Sequence, residues 1–172
     1  MFEKPFYNFL YSLFIVLITG AFCSYFNGSV MDGFYPQIKV SEFTPPNIYF
    51  SVVWGVLYIL LVLAFDLVLN SEKKQLVRPA ATTFILNMFL QVLWCFVFFY
   101  NAQFLAGFTV LIILDVISLI MIFMFYRISK LAGLMLIPYF LWLLFASFLN
   151  WVVVDLNGVV FVMWFCLNFL SL

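Results

Sequence analysis

Phe43-Thr44-Pro45-Pro46-Asn47-Ile48-Tyr49-Phe50-Ser51-Val52-Val53-Trp54-Gly55-Val56-Leu57-Tyr58, followed by an apolar run to Asp66, is the stretch whose reading decides the fold. Thr44 can cap a helix N-terminus. Pro45 and Pro46 fit a first helical turn, where their missing N–H groups would have no partner anyway. About twenty mostly apolar residues follow, the length of a helix that crosses a bilayer. Pro46, Phe50, Trp54 and Tyr58 recur at spacings of four and share one face. Beside them Ser51 and Gly55 form a small-xxx-small pair, at which a second helix can approach closely. Two readings stay open: an ordinary membrane helix, or a helix that lines a flat, apolar ligand.

The rest of the composition agrees with the membrane. The 172 residues are 68% apolar and 8% charged, more apolar surface than a soluble domain can cover. The length suits a single domain, 1–172, of about five spans. A net charge of zero gives no footprint for nucleic acid. The sequence has no histidine, which removes an imidazole base, an imidazole metal ligand and a His-ligated haem. Cys23, Cys95 and Cys166 lie far apart in apolar runs, with neither metal-ligand spacing nor a disulfide framework, so no metal site and no cofactor is expected. Lys4 ahead of an apolar run, with Ala21-Phe22-Cys23 beyond it, resembles a signal peptide. The run is long for one, however, and Glu3 offsets the charge of Lys4.

Apolar runs and turn formers place the spans at about 6–26, 46–69, 79–100, 104–126 and 133–154. The segment 27–44 becomes a long first loop rich in turn residues, and long loops tend to act as lids. Pro79 is expected in the first turn of span three. The run Asp155-Leu156-Asn157-Gly158 is expected to end span five. The apolar tail 159–172 is too short to span by itself and is assigned to the interface or the side of the bundle. Lys4, Lys73, Lys74, Arg78, Arg127 and Lys130 fall on one side, and Lys39 alone on the other. The positive-inside rule therefore puts the N-terminus inside, and the first loop and C-terminus outside.

Asn87, Gln91, Trp94 and Phe98 share one face of span three. Amides within a bilayer need partners, so Asn87 and Gln91 either bond neighbouring helices or present donors and acceptors to a ligand. Pro138, Trp142, Ala146 and Asn150 form a second ladder on span five. Pro138 can kink that helix, and small Ala146 leaves room for a ligand or for a close helix. Asp115 lies midway along span four, where a charge costs roughly 2.5–3.5 kcal/mol on insertion scales. It is a functional candidate by default. Asp66, near the end of its span, is expected to reach the interface.

Taken together, Pro45-Pro46…Phe50…Trp54…Leu57-Tyr58, Trp94…Phe98-Phe99 and Pro138-Tyr139-Phe140-Leu141-Trp142…Phe145-Ala146-Ser147-Phe148-Leu149-Asn150-Trp151 resemble the TspO/MBR family, the tryptophan-rich sensory and translocator proteins. The last of these segments is the most specific. The resemblance implies a five-helix bundle, usually a homodimer, with a cavity near the first loop for porphyrins such as protoporphyrin IX or haem. Carried over by position, the ligand site would comprise Tyr35, Pro45, Trp54, Asn87, Gln91, Trp94, Trp142, Ala146 and Leu149. Trp54 and Trp142 match the tryptophans that bacterial members link to porphyrin breakdown. The sequence departs from the family at Phe34-Tyr35, at Phe43, in the order of Asn87 and Gln91, and at Cys95-Phe96. At the family's proposed sterol motif it reads Leu149-Asn150-Trp151…Asp155, without the usual Tyr and Arg.

The expected function is a multi-pass receptor or carrier, in a bacterial cell membrane, that binds a porphyrin or another flat apolar molecule for sensing, transport or scavenging. Two alternatives stand beside it. One is a proton-coupled transporter using Asp115. The other is a porphyrin-degrading enzyme using Trp54 and Trp142. A third rival is a structural membrane scaffold without a ligand.

Overall fold

The structure, a computed structural model, describes residues 4–31 and 46–169, with side chains described at 4–28, 46 and 48–157. Its elements are α1 (Lys4–Met31), α2 (Asn47–Leu69), α3 (Lys74–Cys95), α4 (Phe104–Ile128), α5 (Lys130–Met135) and α6 (Ile137–Phe169). A π-helical turn, Phe96–Tyr100, continues α3. Among the described residues, five helical stretches are long and apolar enough to cross a membrane: Lys4–Gly28, Ile48–Leu69, Lys74–Tyr100, Phe104–Ile128 and Lys130–Asn157. The fold is all-α, and the fifth crossing is shared by α5 and α6. Around the bundle, α1 packs on α2 and α3, α3 on α4, and α4 on α5 and α6. The ring closes where α2 meets the fifth crossing, mainly through α5.

The two ends of this ring differ. At the end that carries the short basic turns, the interior is filled. Phe65, Phe84 and Phe125 are fully buried there, with Phe65 and Phe84 stacked at 3.9 Å and 11°. In lipid such packing is held by dispersion contacts rather than by escape from water. Polar bonds knit the same end. Lys73 Nζ donates to the carbonyls of Arg127 at 2.7 Å and Ile128 at 2.9 Å, a cation at the C-terminus of α4. Asn8 Nδ2 donates to Asn70 Oδ1 at 2.8 Å, and Asn70 Nδ2 to Asp66 Oδ1 at 2.8 Å. Asp66 is half-buried there.

Several boundaries differ from the sequence reading, each for a local reason. Pro46 has φ −54° and ψ 147° and stands just outside α2 rather than within its first turn. Thr44 and Pro45 lie outside the described residues. The helix α1 continues through 27–31, which the sequence assigns to the loop. The helix α3 begins at Lys74, so Pro79 lies inside it. The bond Pro79 forgoes is to the carbonyl of Gln75, an exposed residue that has other partners available. Span five is interrupted beside Pro138, as expected of a proline within it. The break falls at Leu136, and Pro138 occupies the first turn of α6. The run 155–158 does not end the helix, because α6 continues to Phe169. There Asn157 Nδ2 bonds the carbonyl of Val153 at 2.8 Å, so the helix itself satisfies the amide.

Candidate ligand-binding cavity

Among the described residues, the ring does not close at the opposite end. A cavity of about 680 Å³ lies between the later half of α1, the early half of α2 and the later part of α3. Its size falls within the roughly 300–1,000 Å³ typical of small-molecule sites. The reason it stays open is visible in the residue types. The α1 wall carries Gly20, Ala21, Ser24 and Gly28, and the α2 wall carries Ser51 and Gly55. The sequence presents Ser51 and Gly55 as a seam for a neighbouring helix. In the fold both are exposed on the cavity wall, and a Cβ added to Gly55 would meet nothing within 4 Å. Gly20 does serve close packing, since a Cβ there would lie 3.0 Å from the ring of Tyr58.

Aromatic rings supply the rest of the wall. Trp54 and Tyr58 lie one turn apart on α2 with ring centroids at 5.5 Å, and Phe50 continues the ladder. Across from them Trp94 packs edge-on against Phe99 at 5.5 Å. Among the described residues, no charged side chain lines the cavity.

The floor is polar, and it is the exposed end of a chain of buried bonds. Gln91 Nε2 donates to the Tyr58 hydroxyl at 3.0 Å. The Tyr139 hydroxyl lies 3.2 Å from Gln91 Oε1 and 2.7 Å from Asn87 Oδ1. Asn87 Nδ2 donates to Ser118 Oγ at 2.7 Å, and Ser118 Oγ to the carbonyl of Leu114 at 2.7 Å. One path thus ties α2, α3, α4 and α6 together and leaves no amide of span three unpaired. On the same face Trp94 Nε1 donates to Asn150 Oδ1 at 3.0 Å.

The residues singled out in the sequence fall into three groups. Trp54, Gln91 and Trp94 line the cavity. Asn87, Trp142, Ala146 and Leu149 do not line it. Asn87 is fully buried in the polar chain. Trp142 stands behind the wall, 6.5 Å from Trp54 at 90° and 5.4 Å from Phe50. Its buried Nε1 has no hydrogen-bond partner among the described residues. Ala146 and Leu149 are buried, and the Ala146 carbonyl accepts from Asn150 Nδ2 at 3.0 Å. Tyr35 and Pro45 lie outside the described residues. Asp115 is 7% exposed and away from the cavity, with Ser147 Oγ donating to its Oδ2 at 2.6 Å. The α1 wall and the neighbouring thiols Cys23 and Cys95 escaped the sequence reading. Its one signal was the Gly20/Ser24 spacing, which reads equally well as a packing seam.

The comparisons with known proteins agree with this architecture. Residues 12–155 match the TspO/MBR family profile. The chain is 34% identical over 147 residues to the Tryptophan-rich protein TspO of Archaeoglobus fulgidus, covering 86% of this chain and 95% of that one. It is 31% identical over 144 residues to the Tryptophan-rich protein TspO of Chlorobaculum tepidum, covering 83% and 91%. Protein CrtK of Rhodobacter capsulatus is 28% identical over 149 residues, covering 85% and 93%. Five apolar crossings, an aromatic cavity at one end and a match over most of its length make this multi-pass integral membrane protein a member of the TspO/MBR family.

Proposed function

We propose that the protein is a membrane receptor or carrier for a flat, apolar tetrapyrrole, a porphyrin such as protoporphyrin IX, held in the cavity between α1, α2 and α3. The observation that carries this reading is the pairing of uncharged aromatic walls with a polar floor. Trp54, Tyr58, Trp94 and Phe99 offer faces and edges to a π-system. The Tyr58 hydroxyl, held by Gln91 Nε2 at the cavity end of the polar chain, faces its polar periphery. The short basic turns face inside on this reading, in a bacterial cell membrane, and two copies associate as a homodimer.

Titration with protoporphyrin IX in detergent, followed by the absorption of the porphyrin, tests the ligand. Saturable binding at one site per chain is expected. Trp54→Ala removes an aromatic contact worth about 0.5–1.5 kcal/mol beyond its area, a loss approaching tenfold in affinity. Trp151→Ala is the control, since Trp151 is exposed and packs on Phe108 at 5.5 Å. Equal affinities in the two variants would contradict the assignment.

The contact between Trp54 and Trp142 supports a second reading, in which the bound porphyrin is degraded. Product formation that needs light and oxygen, and that is lost in Trp142→Phe with binding retained, would establish it. The proton-coupled alternative rests on Asp115. Porphyrin flux into liposomes that follows a proton gradient and is lost in Asp115→Asn would establish that one.

A further inference from the structure

Cys23 and Cys95, distant in sequence, meet in the fold. Cys23 on α1 and Cys95 on α3 line the same cavity, and Cys23 Sγ lies 3.8 Å from the carbonyl of Gln91, one turn before Cys95. Tyr58 lines the cavity beside them, its ring packed against Gly20 one turn before Cys23. Both thiols are free and buried, at 6% and 2% exposure, yet both line the cavity. This is a thiol pair with fixed neighbours and a route of access.

We propose that Cys23 and Cys95 are an oxidisable pair, converted to an intramolecular disulfide by a neutral peroxide that reaches them through the cavity. A charged oxidant would lose its hydration in a cavity with no charged lining residue among the described ones, so hydrogen peroxide is the reagent class that fits. In the first step one thiol sulfur attacks a peroxide oxygen. The O–O bond breaks, the thiol proton leaves with the departing oxygen as water, and a sulfenic acid remains. In the second step the other thiol attacks that sulfur. The S–S bond forms, the S–O bond breaks, and the hydroxide leaves as water with the second thiol proton. Two thiols lose two electrons, and one peroxide becomes two waters. Thiols buried among apolar groups react slowly, so the pair answers sustained exposure rather than a brief pulse.

The product would join α1 to α3 at the cavity wall. Only 22% of the most apolar stretch of α1 is buried, against 33–44% for the other four spans. The helix with the least packing, and hence the most freedom, is the one the bond would hold. On the ligand reading above, the oxidised protein exchanges porphyrin more slowly.

The test uses the full-length protein in nanodiscs treated with hydrogen peroxide. Peptide mass mapping without reductant is expected to find a Cys23–Cys95 linked peptide two hydrogens lighter than its parts, with Cys166 still free. In Cys95→Ser no linked peptide forms, and dimedone traps a sulfenic acid on Cys23. Thiols that stay reduced, or a link through Cys166, would overturn the proposal. Stopped-flow porphyrin dissociation is expected to be several-fold slower after oxidation, to recover with dithiothreitol and to be insensitive in Cys95→Ser. Equal rates despite a formed link would overturn the effect on exchange. Porphyrin that binds neither form would overturn the ligand reading and leave the thiol pair standing.

Discussion

A methyl group at Gly133 would sit 2.6 Å from Tyr126 Cβ and 2.7 Å from its Cα. Backbone cannot yield as a flexible side chain can, so Gly133→Ala is expected to destabilise by at least the ~1–3 kcal/mol of an overpacked core. Gly55 is the contrast, with nothing within 4 Å of an added Cβ. Gly55→Ala is expected to hold or raise stability by up to about 1 kcal/mol, since alanine is the better helix residue. Ala102 adopts φ 54° in the turn between α3 and α4, a region that costs roughly 1–2 kcal/mol for a residue with a Cβ. Ala102→Gly is therefore expected to stabilise. Thermal unfolding in detergent checks all three. A destabilised Gly55→Ala or a neutral Gly133→Ala would contradict the packing described.

Four helices meet in the buried polar chain, and its members are not equivalent. Tyr139→Phe removes the hydroxyl that both Asn87 Oδ1 and Gln91 Oε1 contact in the bundle interior. A buried acceptor left unpaired costs about 1–3 kcal/mol. Tyr58→Phe frees Gln91 Nε2 at the cavity floor, where water can replace the lost partner. The loss in melting temperature is expected to be larger for Tyr139→Phe, and equal losses would show that the chain is buried at both ends. The sequence announced this region through Asn87 and Gln91, whose place in a bilayer demanded partners. It did not announce which partners, because Tyr139 and Ser118 come from helices whose rotation the sequence leaves open. Helix ends were legible where turn residues are exposed, as at 70–73. They misled where a polar side chain bonds its own helix, as Asn157 does, or where a proline falls near a helix start, as at Pro79.

At the scale of the whole molecule the described helices are packed full at the basic end and leave a cavity at the other. The class of the fold was legible because apolar length and turn spacing determine it. The cavity was only half legible. Its aromatic face follows from the period-four ladder Phe50, Trp54, Tyr58, which needs no neighbour to be recognised. Its small-residue face does not, because a smooth helix surface means a packed seam or an empty wall according to where the next helix lies. Gly55 is the residue at which these alternatives separate. Gly55→Phe fills the open wall without striking the backbone, so the fold is expected to persist while the ligand space is lost. The most direct measurement is protoporphyrin IX binding to folded Gly55→Phe beside the unchanged protein. The account predicts an affinity at least about tenfold weaker, a loss of roughly 1.4 kcal/mol. A folded Gly55→Phe that binds porphyrin as tightly as the unchanged protein would contradict the cavity between α1, α2 and α3 as the ligand site.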